Sequence, residues 1–456
     1  MKPDERPHRL FIQALSRPHG VLAITFVGLI VVGAVLLMLP VAQAREPVGP
    51  LDALFTATSA VCVTGLITRD TATEFTRFGQ SVILVLFQLG GLGIMTFGAL
   101  AMQLIGRRIS LRSQVALHDV FYQANAANEF RRNLRWIVTM TLSLEAIGAI
   151  LLTVSLRNRA MDVTPFDAVF HAVSAFCNAG FSTFSDSLVG LRGNLLFMTT
   201  LSVLIILGGL GHMVLFELIG RCWCRFTGRL TTVGISLHTR VVLATSAVLI
   251  ATGALFLIAV GLNANSVSPM ARIGNALFQS ITARTAGFNT VPISGAPVAA
   301  LLWLTILMFI GGSPGSCAGG IKTTSLAVWF ARLRARLAQR EDVTLGGRRI
   351  PRDLVRRTGL LVGVAAVYNL VGVLILSITE LDGSAWRLHD VLFEQVSAFG
   401  TVGLSTGITP YLSSAGKAWI ILSMFIGRLG PLTIALTVLE RKLDTVRLPE
   451  ERIMIG

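Results

Sequence analysis

Four stretches of the sequence end in one small pattern, in which a threonine follows a glycine by three residues. Each stretch begins with Asp or Asn, and a Phe follows three residues later. The copies are DALFTATSAVCVTGLIT (52–68), DAVFHAVSAFCNAGFST (167–183), NALFQSITARTAGFNT (275–290) and DVLFEQVSAFGTVGLST (390–406). The third copy is one residue shorter than the others between its Phe and its Gly. Four copies in the same order indicate an internal repeat that organises the chain.

The chemistry open to these stretches is the binding of a monovalent cation by backbone oxygens. Glycine allows a backbone conformation that a side chain would forbid, and carbonyls from four loops on one axis could replace the hydration shell of an ion. A short helix before each loop would point the negative end of its dipole at the same place. We expect an ion filter from Val63, Thr64, Gly65, Asn178, Ala179, Gly180, Thr285, Ala286, Gly287, Thr401, Val402 and Gly403. The alternative is that the glycines only permit close helix packing, but packing alone would not require so short a helix.

Long apolar stretches must position these loops. Hydrophobic residues make up 53% of the chain and charged residues 14%, whereas soluble domains carry about 25% charge. The mean hydropathy is +0.70. Eight stretches are long enough for a helix to cross about 30 Å of hydrocarbon. They lie near 21–40, 80–104, 136–156, 194–219, 241–262, 299–328, 358–378 and 416–439.

The start of each repeated copy could be helical but is too short to span a bilayer, so it must enter the membrane and return. Irregular backbone at membrane depth is tolerated only where it lines a cavity or is buried in protein. We therefore predict an all-α polytopic membrane protein with four consecutive helix–pore-loop–helix repeats around a pseudo-fourfold central pore. It would have eight transmembrane helices and four re-entrant pore helices.

The repeats predict boundaries along the chain. A cytoplasmic amino-terminal segment and a cytoplasmic carboxyl-terminal tail would flank them. The expected segments are 1–20 (amino-terminal), 21–110 (repeat 1), 111–225 (repeat 2), 226–335 (repeat 3), 336–440 (repeat 4) and 441–456 (tail).

The net charge of +15 could suggest nucleic acid, but the basic residues lie in short blocks between apolar stretches. Alternate connections carry most of them, which places both termini in the cytoplasm. We expect the protein in the cytoplasmic (inner) membrane. The start of the chain resembles a secretion signal, but its apolar run is longer than a typical signal core. An odd number of cysteines, five in all, argues against a disulfide framework. Cys222 and Cys224 are closely spaced, but without a His or a second pair they give only a weak zinc signal.

The second helix of each repeat carries a weaker echo, which reads GGLG (90–93), GGLG (208–211), GGSPG (311–315) and GRLG (427–430). In the third copy five glycines and Pro314 fall within ten residues, so a continuous helix is improbable. We expect a flexible plug over 311–324 below the filter, with a passive kink as the alternative. The candidate gate residues are Gly311, Gly312, Ser313, Pro314, Gly315, Ser316, Gly319, Gly320, Lys322 and Arg428.

Arg428 replaces the glycine found in the other three copies. An arginine at membrane depth usually faces the interior of a bundle, where it would repel cations on the pore axis. The alternative is a structural ion pair with Glu145 or Glu217. Lys322 has either a gating role or an ammonium that reaches the cytoplasmic interface.

Other polar residues at membrane depth have less specific interpretations. Glu145 is either a sodium-linked site or a hydrogen-bonded structural acid. His171 and His212 are expected as core residues with satisfied hydrogen bonds, and Cys62 and Cys177 as small packing residues.

The four loops, the topology and the segment 311–324 resemble the KtrB/TrkH/HKT superfamily of potassium transporters. VCVTGLIT (61–68) and FGQSVILVLFQLGGLGIMTFG (78–98) look most like its KtrB branch. The resemblance implies potassium uptake, often stimulated by sodium, and an intramembrane gating loop. In the family an arginine at the place of Arg428 contributes to the closed gate. The resemblance also implies a homodimer on a cytosolic, KtrA-like nucleotide-binding ring.

Two other functions fit parts of the sequence. A generic cation-coupled secondary transporter would have inverted repeats, whereas these four units run in the same direction. GGSPG also matches the serine-hydrolase pattern G-x-S-x-G around Ser313, but the echo already accounts for these glycines. We therefore expect no enzyme activity, no cofactor in this chain and no catalytic residue.

Overall fold

The computed structural model describes residues 18–92, 127–157, 164–227, 234–262, 268–382 and 386–430. They form fourteen α-helices, three short 3₁₀ turns and one small hairpin. The helices are α1 (Pro18–Leu37), α2 (Pro50–Val61), α3 (Arg77–Gly91), α4 (Ala127–Leu156), α5 (Pro165–Cys177), α6 (Leu195–Leu210), α7 (His212–Phe226), α8 (Leu237–Ala259), α9 (Pro269–Thr282), α10 (Val298–Phe309), α11 (Thr323–Leu337), α12 (Arg352–Glu380), α13 (Leu388–Gly400) and α14 (Ser414–Leu429). Strands β1 (Thr344–Leu345) and β2 (Arg348–Arg349) pair antiparallel.

Four helices are short and end directly before the repeated glycine loops. These are α2, α5, α9 and α13, which have 12, 13, 14 and 13 residues. The first three begin with Pro50, Pro165 and Pro269, because proline is pre-set for the first helical turn and its missing N–H is not needed there. At about 1.5 Å per residue none of them could cross a bilayer.

Three described helices are each long and apolar enough to cross a membrane alone, namely Leu134–Leu156, Leu237–Ala259 and Arg352–Glu380. The bent pair α6 and α7 would make a fourth if it counts as one span. The expected spans near 80–104 and 416–439 run beyond the described residues, as do most of the amino-terminal segment and all of the tail at 441–456.

The expectation of one crossing helix over 194–219 is wrong. α6 ends at Leu210, α7 begins at His212, and the two helices are bent by 111°. The break falls at Gly211, whose φ of 91° is a left-handed value that favours glycine. α14 ends in the same way at Gly430, with φ 88°. The last glycine of this motif therefore ends a helix in both places.

The helix interruption expected in the third copy is present. α10 ends at Phe309 and α11 begins at Thr323, and residues 310–322 between them form no helix. Ile310 and Ile321 pair as an isolated parallel bridge at the two ends of this segment. We call residues 310–322 the intramembrane loop, after the location that the sequence predicts for them.

The helices pack in a closed order around the glycine loops. Each short helix contacts the helix that follows the previous loop, so α3 packs on α5, α6 on α9, α10 on α13, and α14 on α2. The last pair joins the end of the described chain to its beginning. Large apolar side chains fill these contacts, for example Phe87 of α3 edge-on against Phe170 of α5 at 5.3 Å between ring centroids.

Candidate ion-binding site

The four repeated glycines lie next to one another in a closed ring. A Cβ atom added to any one of them would lie less than 3.0 Å from the carbonyl oxygen that precedes the next glycine. In order, Gly65 faces the oxygen of Ala179, Gly180 that of Ala286, Gly287 that of Val402, and Gly403 that of Thr64. The structure thus brings together all four loops expected from the sequence, and no side chain larger than hydrogen fits where they meet.

Each loop carries two left-handed residues, two positions apart. The glycines have φ values of 90°, 71°, 79° and 92° in chain order. The residues two places earlier are Val63 (56°), Asn178 (58°), Thr285 (77°) and Thr401 (49°). Positive φ is unusual for a β-branched residue, and such strain concentrates at functional sites. Left-handed residues at alternate positions turn neighbouring carbonyls to one side, which is the arrangement needed to coordinate a dehydrated cation.

Side chains of the short helices hold three of the loops from behind. The Ser59 hydroxyl accepts a hydrogen bond from Gly65 N–H at 3.0 Å, and the Ser397 hydroxyl accepts one from Gly403 N–H at 3.2 Å. In the second loop the Ser174 hydroxyl donates to the Phe181 carbonyl at 2.8 Å. These serines are fully buried, so their hydrogen bonds act away from water.

The third loop is held differently because its copy is one residue shorter. Gly287 N–H donates to the Thr282 carbonyl, at 3.4 Å. The Thr282 hydroxyl has no hydrogen-bond partner among the described residues. Arg284 lies three residues before Gly287 and is 9% exposed, with its Nη2 donating to the Ser246 hydroxyl at 3.2 Å.

Sequence reasoning named only His171 from a set of four buried polar side chains behind the loops and missed the other three. The four follow the repeated Phe of each short helix, are all fully buried, and are Thr56, His171, Gln279 and Glu394. Glu394 accepts hydrogen bonds from the hydroxyls of Ser405, at 2.8 Å, and Thr409. A polar residue at one fixed place in all four copies was the available signal.

His171 meets the expectation of a hydrogen-bonded core residue. Its ring nitrogens lie 2.7 Å from the Asp167 carbonyl and 3.0 Å from the Ser182 hydroxyl. His212 is hydrogen-bonded as expected, although it is only half-buried, and its partner is the intramembrane loop. Its backbone N–H and its Nδ1 both donate to the Gly315 carbonyl, at 3.2 and 2.6 Å.

The intramembrane loop contacts elements from all four repeats. Ser313 N–H and Cys317 N–H donate to the carbonyls of Gly209 and Gly208 at the end of α6. The Cys317 thiol donates to the Gly91 carbonyl of α3 at 2.6 Å. A Cβ atom on Gly319 would strike the side chain of Thr401 in the fourth glycine loop. The segment therefore lies directly against the ring, and it touches α3 and α6 as well.

Arg428 joins this loop from α14. Its guanidinium donates to the carbonyls of Cys317 and Gly90, and the residue is 8% exposed. Neither acid considered as its partner contacts it in the described part of the chain. Glu145 instead accepts from Gln88 Nε2 at 3.0 Å. Glu217 accepts from Ser236 and Thr239 near the start of α8.

The remaining candidates have local partners. Lys322 Nζ donates to the Ala318 carbonyl at 2.6 Å, which closes the last turn of the intramembrane loop. Ser313 Oγ lies 3.0 Å from Thr323 Oγ1. No histidine among the described residues bonds Ser313, so the geometry of a serine hydrolase is not formed there. All five cysteines are free.

Ion pairs link the outer ends of neighbouring repeats. Lys417 at the start of α14 lies 2.8 Å from Asp52 at the start of α2. Arg77 at the start of α3 lies 2.7 Å from Asp167 at the start of α5. Burial alone would raise the pKa of Asp167, but hydrogen bonds from Arg77 and Thr164 outweigh it and lower the pKa to about 2.

Comparison with known proteins gives a consistent result over nearly the whole chain. The family model of TrkH, described as a cation transport protein, matches residues 8–444. The chain is 35% identical to the Ktr system potassium uptake protein B of Bacillus subtilis, covering 96% of this chain and 97% of that one. It is 36% identical to the protein of the same name from Vibrio alginolyticus, with 96% and 94% covered.

The chain is also similar to a relative that is named for sodium as well as potassium, and to a solved structure. The chain is 35% identical to the potassium/sodium uptake protein NtpJ of Enterococcus hirae, with 96% of this chain and 97% of that one covered. The crystal structure of the potassium transporter TrkH from Vibrio parahaemolyticus superposes with a TM-score of 0.74 at 20% identity, covering 92% of this chain and 84% of the other.

Proposed function

The chain belongs to the TrkH family of cation transport proteins, and on that premise we propose that it takes up potassium through the ring of four glycine loops. It is a multi-pass membrane protein and not an enzyme. The filter would consist of the two carbonyls before each glycine, from Val63, Thr64, Asn178, Ala179, Thr285, Ala286, Thr401 and Val402, together with the four glycines. Potassium is then the transported ion, and the chain itself holds no cofactor.

The observation that carries this proposal is the closed ring in which each glycine faces a carbonyl from the next loop. Loops joined by chance packing would not share the same left-handed residues at the same two places. The short helices supply the remaining part, because all four end at the ring and direct the negative ends of their dipoles toward it. Carbonyl oxygens and helix dipoles together favour a monovalent cation.

The intramembrane loop and Arg428 would form the gate of this pathway. The loop lies against Thr401 of the ring, and the Arg428 guanidinium contacts the loop. It would therefore hold a positive charge on the route of a cation. Its two partners are carbonyl oxygens, and no carboxylate contact neutralises the charge among the described residues. In this arrangement the pathway opens when Arg428 and the loop move aside together.

The repeat boundaries given above, the cytoplasmic position of both termini and the inner-membrane location belong to the same proposal. Two relatives carry the name of a Ktr system, and NtpJ is named for potassium and sodium. We therefore include sodium stimulation, a homodimer and a KtrA-like cytosolic ring as regulator. The ring would dock on the basic cytoplasmic connections.

The decisive experiment measures rubidium and sodium uptake by the purified protein in liposomes. Uptake of rubidium that exceeds sodium uptake and is blocked competitively by external potassium is expected. Equal uptake of both ions by folded protein would contradict the filter assignment. Rubidium uptake that is retained in Ser313→Ala separates an ion pore from a serine hydrolase, which would need this hydroxyl.

A further inference from the structure

A large basic cavity opens beside the helix that leaves the intramembrane loop. It has a volume of about 740 Å³ and lies between α11, the hairpin segment and α12. Five arginines line it, namely Arg332, Arg336, Arg340, Arg352 and Arg356. Arg332 and Arg336 are one turn apart on α11 and therefore point to the same side of that helix.

The acids at this cavity do not neutralise it. Asp342 already pairs with Arg349 of the hairpin at 2.9 Å. Glu341 reaches only Arg352, at 3.8 Å, with 91% of the acid side chain exposed. Within the described ranges no carboxylate lies within salt-bridge distance of the other four arginines. Guanidinium groups in this arrangement match the oxygens of a phosphate group.

The apolar side chains beside the cavity indicate where that phosphate comes from. Phe330, Leu333 and Leu337 follow each other at helical spacing on α11 and are 54%, 43% and 79% exposed. Their face of the helix adjoins the face with Arg332 and Arg336. A helix with a basic face beside an exposed apolar face is typical of the membrane–water interface. A soluble phosphate compound would need only the basic face.

We propose that this cavity binds the headgroup of an anionic phospholipid from the cytoplasmic leaflet, with its acyl chains along Phe330, Leu333 and Leu337. Basic pockets between helices on the cytoplasmic side suit such headgroups. α11 begins at Thr323, whose N–H donates to the Gly312 carbonyl at 3.0 Å. We therefore expect a ligand bound at the far end of α11 to change the position of the intramembrane loop. Headgroup binding is independent of the proposed function, whereas the choice of the cytoplasmic leaflet and the effect on opening rest on it.

The test counts lipids bound to the full-length protein by native mass spectrometry during titration with phosphatidylglycerol or with neutral phosphatidylcholine. The variant R332Q/R336Q/R356Q removes three arginines from the cavity. The matched control R334Q/R348Q/R357Q removes the same charge from exposed arginines that do not line it. The cavity variant should bind phosphatidylglycerol at least about tenfold more weakly, because each basic residue contributes measurably to headgroup binding. The control should stay within about twofold of the parent.

Several results would overturn the assignment. Equal loss in both triple variants would show general attraction to basic residues, and no loss in either would exclude the cavity. Binding of ATP or pyrophosphate that is lost in the cavity variant, with phosphatidylglycerol binding unchanged, would assign the site to a soluble ligand. If the cavity variant binds as many lipids as the parent but no longer co-purifies with a regulatory ring, the cavity is a protein-binding site.

A second measurement compares rubidium uptake in vesicles with and without phosphatidylglycerol. The parent and the control should respond to the anionic lipid, and the cavity variant should not. A cavity variant that responds as the parent does would contradict the link to the gate. Lipid binding without any rubidium uptake in the parent would refute the proposed function and leave the lipid site intact.

Discussion

Arg428 donates a hydrogen bond to the carbonyl of Cys317, so α14 of the fourth repeat is fixed to the intramembrane loop of the third. A second bond from the same guanidinium reaches Gly90 at the end of α3. One side chain therefore holds three elements together, namely α14, the intramembrane loop and α3. Removing it should both free the loop and remove a positive charge.

Arg428→Ala is expected to raise potassium flux and to leave the potassium/sodium ratio nearly unchanged, because the glycine ring above is intact. A guanidinium about 5 Å from a cation opposes it by roughly 3 kcal/mol at an effective dielectric of about 20. The increase in rubidium uptake should thus exceed about tenfold. Glu217→Gln is the control and should show parental flux, since Glu217 binds Ser236 and Thr239 instead. A folded Arg428→Ala protein with lower flux would show that this arginine is structural.

Gly403→Ser should lower the preference for potassium over sodium at least about tenfold. Gly403 has φ 92°, and a Cβ atom there would strike the Thr64 carbonyl of the ring. Gly407→Ser is a matched control, because Gly407 has φ 104° but open space around it. Both substitutions carry similar backbone strain, and only one disturbs the carbonyls. Uptake ratios for rubidium and sodium in liposomes measure the difference. Loss of preference in both variants, or in neither, would count against the filter.

Much of the site was predictable because its signals are local in the sequence. The four glycines, the short helices before them and the interrupted segment at 311–324 each depend on residue types within one copy of the repeat. The break at Gly211 was not predictable in this way. The bend is accompanied by a contact that is remote in the sequence, because the carbonyl of Gly315, more than a hundred residues away, accepts hydrogen bonds from His212. The partners of Arg428 were not predictable for the same reason, because Cys317 and Gly90 lie 111 and 338 residues away in the sequence.

Shortening the intramembrane loop should raise flux. A deletion of residues 314–316 removes the Gly315 carbonyl that binds His212 but keeps Gly319 against the ring. With fewer contacts the closed position becomes less favourable, and rubidium uptake should rise several-fold and depend less on a regulator. His212→Ala removes the side-chain bond alone and should give a smaller increase. A folded deletion variant that transports no faster than the parent would refute the gating role.

The pair Lys417 and Asp52 should stabilise the closure of the ring between the last repeat and the first. Its side chains are 16% and 15% exposed, at 2.8 Å, so it lies between a surface pair worth about 0–1 kcal/mol and a buried pair whose breakage costs about 3–5 kcal/mol. We expect Lys417→Met to lower the unfolding free energy by about 1–3 kcal/mol. The exchange Asp52→Lys with Lys417→Asp should recover part of the lost unfolding free energy.

The pair Arg349 and Asp342 is the control, because it has a similar length of 2.9 Å but is 61% and 45% exposed. Asp342→Asn should therefore change stability by less than about 0.5 kcal/mol, in line with a screened surface pair. Thermal unfolding in detergent measures both effects. Rubidium/sodium uptake ratios show whether the ring depends on the contact. If the losses of unfolding free energy in the two single variants add up in the double variant, and the exchange restores none of the loss, the two charges do not act together.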